Sequence, residues 1–266
     1  MNNCVGDYID WKDWRGGSFG DCDPLLARYF EAETGILPKP GVRVLEIGFG
    51  NGCFIGWSSA IGVEVFGVEI NAALVDRCKS FLGEGRVFAD LYDARLSVAA
   101  GSFTHIVAFD VIEHITQDDL PKFLARLKTL LAVGGRVILR FPNGDSPFGR
   151  IYQHGDPTHV TTIGRSKITY FAHQSGLEVE EIRAPRLPMT GVGLRRALKR
   201  YVLAMGRYCV EHLVGILYFG GTAIPLHPNY TAVLLHADAD QAALQPRDRN
   251  IRPISASFEG EPRTPR

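Results

Sequence analysis

The segment Val44-Leu45-Glu46-Ile47-Gly48-Phe49-Gly50-Asn51-Gly52 narrows the fold more than any other in this 266-residue chain. A short, mostly apolar run leads into a turn with glycine at every second position. Such a run, able to bury both faces, belongs inside a covered sheet. Alternate glycines let the backbone take positive φ and let a ligand approach closely. Ligands of open α/β sheets bind beyond the carboxyl ends of the strands, which is where this loop falls. Two common nucleotide loops are excluded. A dinucleotide G-x-G-x-x-G would need glycine at Cys53 or at Ile55, and a P-loop would need Gly-Lys-Ser/Thr.

Downstream, strand-like runs recur at Val42–Ile47, Val63–Val68, Arg86–Ala89, His105–Phe109, Arg136–Phe141 and Leu177–Ile182. Helical patterns lie between most of them. From Leu120 to Leu131 the apolar residues follow i, i+3, i+4, i+7 spacing, so one face packs on a sheet, and Gly134-Gly135 is placed to close that helix. A further helix is expected from Pro24 to Glu33. This alternation predicts an α/β fold with a mostly parallel sheet covered on both faces.

Composition removes other classes. Basic and acidic residues number 29 each, and 45% of the chain is hydrophobic, enough to bury one core. No nucleic-acid partner is expected, because an electrostatic grip on a phosphate backbone normally shows as a basic excess. Cys4, Cys22, Cys53, Cys78 and Cys209 form no C-x-x-C pair and read as reduced thiols, neither disulfides nor a zinc site. The opening residues carry acids and no apolar h-region, which argues against a signal peptide, and no apolar run is long enough to span a bilayer.

The pattern E-x-G-x-G-x-G over Glu46–Gly52 resembles the cofactor loop of class I S-adenosylmethionine-dependent methyltransferases. The likeness covers roughly residues 20–236. Phe109-Asp110-Val111-Ile112-Glu113-His114 is similar to the D-V-I-E-H stretch of quinone O-methyltransferase-like enzymes. Gly134-Gly135-Arg136 fits their Pro-Gly-Gly turn, with Val133 in place of the proline. The arm Tyr8–Trp14 and the stretch Phe141–Phe148 resemble bacterial methyltransferases of surface-polysaccharide biosynthesis.

The resemblance implies a Rossmann-like, doubly wound seven-stranded sheet, mostly parallel with an antiparallel last strand (229–235) next to the sixth. It implies S-adenosyl-L-methionine as cofactor, held by Glu46, Gly48, Gly50, Gly52, Glu69, Asp90 and Asp110. Glu69 ends the second strand, where a carboxylate can accept both ribose hydroxyls, and Asp90 ends the third, where it can accept from an adenine amino group. The expected organisation is an arm and helix over 1–40, a cofactor-binding core over 41–183, a helical substrate-cap insertion over 184–228, the closing strand over 229–236, and a disordered tail over 237–266.

A sulfonium methyl is already electrophilic, so such an enzyme must align the nucleophile, exclude water and, for a hydroxyl, help remove its proton. Histidine titrates in the useful range. His114 follows the fourth strand, while His154 and His159 sit in a long polar loop after the fifth. With Asp110 these are the catalytic candidates, although a Glu113–His114 pair also suits helix capping. The expected reaction is O-methylation of a glycan-type or other small-molecule acceptor, which can be lipid-linked. Two alternatives stand beside it. Asp110-x-x-Glu113-His114 with His159 resembles the cation site of metal-dependent RNA 2′-O-methyltransferases, although no metal is the preferred expectation, and the chain could be a non-catalytic cofactor-binding subunit.

Residues 194–205 form an amphipathic helix, with Leu194, Ala197, Leu198, Tyr201, Val202 and Met205 on one face, and apolar residues continue to Phe219. The first reading is a lid whose apolar stripe packs on the core. The second is contact of 194–219 with a membrane surface, placing a cytoplasmic protein at the inner face, and homodimerisation is the third.

Overall fold

The computed structural model describes residues 12, 14, 17–97 and 99–236. Most of the Tyr8–Trp14 arm and the whole 237–266 segment, expected to be disordered, lie outside the described residues. Helix α1 (Pro24–Thr34) starts where Asp23 Oδ1 accepts the amides of Leu25 and Leu26, and stops at Gly35 in the left-handed conformation. Strand β1 (Arg43–Ile47) then runs through the glycine loop into α2 (Cys53–Ala60). β2 (Glu64–Val68), α3 (Ala72–Leu82), the two-residue β3 (Val87–Phe88), the short α4 (Ala94–Ser97) and β4 (Phe103–Phe109) follow. Next come α5 (Leu120–Leu130), β5 (Leu131–Pro142), α6 (Arg150–Gly155), α7 (Arg165–Gln174) and β6 (Glu178–Arg183). The 25-residue α8 (Leu194–Tyr218) precedes β7 (Asn229–Leu235).

The sheet has seven strands in the order β3-β2-β1-β4-β5-β7-β6. β1 to β5 are parallel, while β7 runs antiparallel between β5 and β6. One core lies under α5 and α7, including Leu124, Leu127, Phe141 and Ile168. The other lies under α1, α2 and α3, including Phe30, Phe54, Trp57 and Leu74. β1 is buried on both sides, as its apolar sequence requires.

Gly134-Gly135 does not close the preceding helix. α5 ends at Leu130 because Leu131 already pairs with Phe103 of β4, drawing the chain into the sheet a turn early. Gly134, at φ +74°, lies inside β5 near the point where the register against β4 shifts.

α1 is tied to the far edge of the sheet by one acid. Glu33 is buried, accepting from Arg183 Nη1 on β6 (2.8 Å), from the Arg186 amide (2.5 Å) and from the Thr231 hydroxyl on β7.

Candidate active site

Strand order reverses between β1 and β4, and a cleft of about 580 Å³ opens at their carboxyl ends. Its floor is the glycine loop. Gly48, Gly50 and Gly52 have φ of +69°, +51° and +77°, a region that side chains disfavour. Neighbours leave no room for a side chain either: a Cβ on Gly50 would lie 2.9 Å from the Trp14 ring, and one on Gly52 2.3 Å from Phe19. Trp14 and Phe19 thus cover the loop from the N-terminal side, and Arg77 Nη1 on α3 holds the Trp14 carbonyl at 2.9 Å.

The predicted acids fall along this edge with different environments. Glu46 lines the cleft, is buried, and has Oε2 without a hydrogen-bond partner. Burial, then the neighbouring Glu69, push its carboxyl well above the usual carboxylate range. Glu69 ends β2 and binds backbone: Oε2 accepts the Gly50 amide (3.2 Å) and Oε1 the Asn71 amide (3.0 Å). Asp90 is exposed after β3 and accepts the Tyr92 amide.

Asp110 lines the cleft beyond β4 in a strained conformation, φ +57°. Its carboxylate pairs with Arg140 of β5, whose guanidinium also donates to Tyr29 Oη (3.0 Å) and lies 4.7 Å from the Phe109 ring centre. Burial opposes the Arg140 charge, but Asp110 and then Tyr29 more than offset it, and its pKa moves up. Asp110 is therefore engaged by a cation.

The other wall joins the turn after β4 to the loop 156–161. The Glu113 carbonyl accepts the Val160 and Thr161 amides at 2.9 and 3.0 Å. The Glu113 side chain is 1% exposed, and both its oxygens lack hydrogen-bond partners. Burial, then the charge of Asp110, raise its pKa to about 8. His159 Nε2 lies 3.9 Å from Glu113 Oε1 and 3.7 Å from Asp156 Oδ2. The His114 and His159 rings meet edge to face at 4.6 Å. Asp156 is 3.1 Å from Lys12. Burial works against its ionisation, yet the Thr158 hydroxyl and amide and Lys12 hold it at about 2.

The hydrogen bonds of Thr158 assign a tautomer to His114. The Thr158 hydroxyl donates to Asp156 Oδ1 (2.5 Å), so it offers His114 Nδ1 a lone pair at 2.9 Å, as does the Thr158 carbonyl at 3.2 Å. Nδ1 therefore carries the proton and Nε2 the lone pair. Burial, then the nearby His159, lower the His114 pKa below its usual 6.5 and keep the ring neutral.

Of the catalytic candidates, the structure gathers Asp110, His114 and His159 in the cleft. His154 is not among its lining residues: it is exposed on α6, where a helix replaces part of the expected loop. The Glu113–His114 pair also does not cap the next helix, since Asp119 holds the N-cap position of α5. Sequence reasoning missed Arg140, whose signal was a lone cation inside the apolar run Val137–Phe141, and Asp156, whose ion-pair partner Lys12 comes from a distant segment. Glu113, His114 and His159 bring ligand atoms within 4.8 Å of one another, so they could accommodate a metal ion.

The chain matches the methyltransferase domain family over residues 15–182. The chain belongs to that family. It is a class I methyltransferase, and S-adenosylmethionine is its methyl donor. The methyltransferase is 27% identical over 178 residues to a ubiquinone biosynthesis O-methyltransferase of Mesorhizobium japonicum, covering 56% of this chain and 71% of that one. A second ubiquinone biosynthesis O-methyltransferase, from Aromatoleum aromaticum, is 23% identical, with 61% and 74% covered. Among solved structures, an S-adenosylmethionine-dependent methyltransferase from Archaeoglobus fulgidus superposes with a TM-score of 0.58 at 17% identity, covering 86% of this chain and 99% of that one. Phosphoethanolamine N-methyltransferase 2 of Haemonchus contortus, in complex with S-adenosyl-L-methionine, gives 0.53 at 17% identity, with 88% and 57% covered. The methyltransferase shares its fold with both.

Proposed function

We propose that this methyltransferase acts on a hydroxyl oxygen of a small-molecule acceptor, with His114 taking the proton. The observation that carries this reading is the neutral His114 of assigned tautomer in the cleft that also holds the glycine loop. The three loop glycines would cradle the donor, because any side chain there collides with Trp14, Phe19 or Val111. Glu46, with its unpartnered oxygen, would receive a donor hydrogen bond, and Glu69 holds the loop for it. Asp90, one strand further along the same edge, completes the donor set.

Bound there, S-adenosylmethionine supplies an electrophilic methyl group. The chain's own work is to hold the hydroxyl in line, keep water out and accept its proton at His114 Nε2. Asp156 orients His114 through Thr158, and His159 packs against the ring. Ile151 and Tyr152 form an exposed apolar rim to the cleft. That rim and the ubiquinone-type relatives favour an aromatic ring bearing the hydroxyl over the glycan acceptor suggested by the arm sequence.

Purified enzyme with labelled S-adenosylmethionine, offered dihydroxybenzenes, lipid-linked sugars and amines, tests this. Label in a phenolic ether is expected, label in a sugar ether would keep the mechanism and change the acceptor, and label in amines alone would overturn both. A second reading, favoured by the Glu113–His114–His159 cluster, is a divalent cation at those donors. Activity abolished by chelator and restored by magnesium or manganese would establish it, and activity indifferent to chelator would remove it.

A further inference from the structure

We propose that α8 seats the enzyme on an anionic lipid surface. Soluble helices turn their apolar stripe inward, yet among the described residues α8 does the reverse. Its only buried residue is Gly215, where a Cβ would come within 2.5 Å of the Thr222 carbonyl oxygen. The half-buried positions of the helix are Ala197, Arg200, Arg207, Glu211, His212 and Val214, all but Val214 small or polar. Glu211 Oε1 accepts the Leu226 amide at 2.7 Å, and the Arg200 guanidinium donates to the Pro188 carbonyl. The helix is thus fastened through its polar side. Leu194, Leu198, Met205 and Ile216 face solvent at 86, 59, 46 and 67% exposure. The expected lid, with its apolar stripe on the core, is not what forms.

Charge selects the occupant. Residues 186–210 hold Arg186, Arg195, Arg196, Lys199, Arg200 and Arg207 with no acid among them. Arg195, Arg196 and Lys199 are exposed and have no ion-pair partner among the described residues. A second copy's α8 would bring no acid against these cations except Glu211, which already accepts the Leu226 amide. A layer of anionic headgroups answers them all while the apolar stripe enters the acyl boundary, the arrangement of an interfacial helix. At about 1.5 Å per residue the stripe extends along some 33 Å of helix. The segment joining α8 to the cleft residue Asn229 is fastened just beyond β5, where Asn143 Nδ2 donates to the carbonyls of Pro225 and His227 (3.0 and 2.8 Å).

Co-sedimentation of the full chain with phosphatidylcholine vesicles, with and without phosphatidylglycerol, tests the proposal. Partition is expected only with the anionic lipid and is expected to weaken as salt rises. R195E with K199E should reduce it on the order of tenfold or more, and L198D with I216D should abolish it, both with unchanged S-adenosylmethionine affinity and Tm. Equal partition of wild type and variants, or no partition at all, overturns the proposal. So does a solution dimer that L198D dissolves in the absence of vesicle binding.

Discussion

His114 and Glu113 are chain neighbours whose pKa values move in opposite directions toward the same neutral state. Burial keeps the imidazole neutral and ready to accept a proton, while it keeps the carboxyl protonated to about pH 8. H114A should lower kcat by a factor of about 10² to 10⁴ with the donor Kd unchanged, whereas H154A should change neither. Because the His114 pKa lies below 6.5, kcat/KM should hold through neutrality and fall only as acid protonates the ring, which a pH–rate profile checks. Glu113 makes a separate prediction about stability. Folding raises its pKa from 4.5 to about 8, so across that window the folded chain binds more protons than the unfolded one. The Glu113 contribution is complete below the window and is lost as pH rises through it, at up to about 1.4 kcal/mol per pH unit. E113Q should flatten the fall in Tm with pH, and an unchanged pH dependence would count against the assignment. The sequence made the D-V-I-E-H stretch visible, and with it both residues. It could not show that Asp156 and Lys12, from two remote segments, set the tautomer and charge around them, because that depends on tertiary approach rather than on any local pattern.

Elements were legible where a single period decides them. β1 and its glycine turn, and the i, i+3, i+4 stripe of α5, place their residues with little room for alternatives. The α5 terminus was misjudged because pairing of Leu131 with Phe103 overrides a glycine pair that looks like a cap. α8 failed differently: its stripe is real, but periodicity reports that a helix has two faces and never which face meets the protein. α1 illustrates what holds elements to the sheet without any sequence signal. Glu33 serves Arg183, Thr231 and the Arg186 amide from a position shielded from water. E33A would leave the Thr231 hydroxyl and the Arg186 amide without their acceptor and Arg183 with the Glu181 carboxylate alone (2.9 Å), and should destabilise the fold by about 2–4 kcal/mol in denaturant unfolding. A loss under about 1 kcal/mol would show that α1 is held by its apolar face alone.

At the scale of the whole molecule, the cleft is assembled from both halves of the sheet and from the arm, so a donor analogue should stabilise everything at once. S-adenosylhomocysteine at a hundred times its Kd should add about 2.7 kcal/mol to unfolding, read as one cooperative shift in Tm. Two separated transitions would show that the halves unfold independently. The placement of Trp14 carries one more consequence. Its carbonyl is grasped by Arg77, 63 positions further along the chain, and its ring rests on a loop between β1 and α2. A ribosome releases this tryptophan long before its resting place exists. The tryptophan can therefore settle only once residue 77 has been made, and the enzyme acquires its finished donor cradle after the glycine loop and α3 have taken their places.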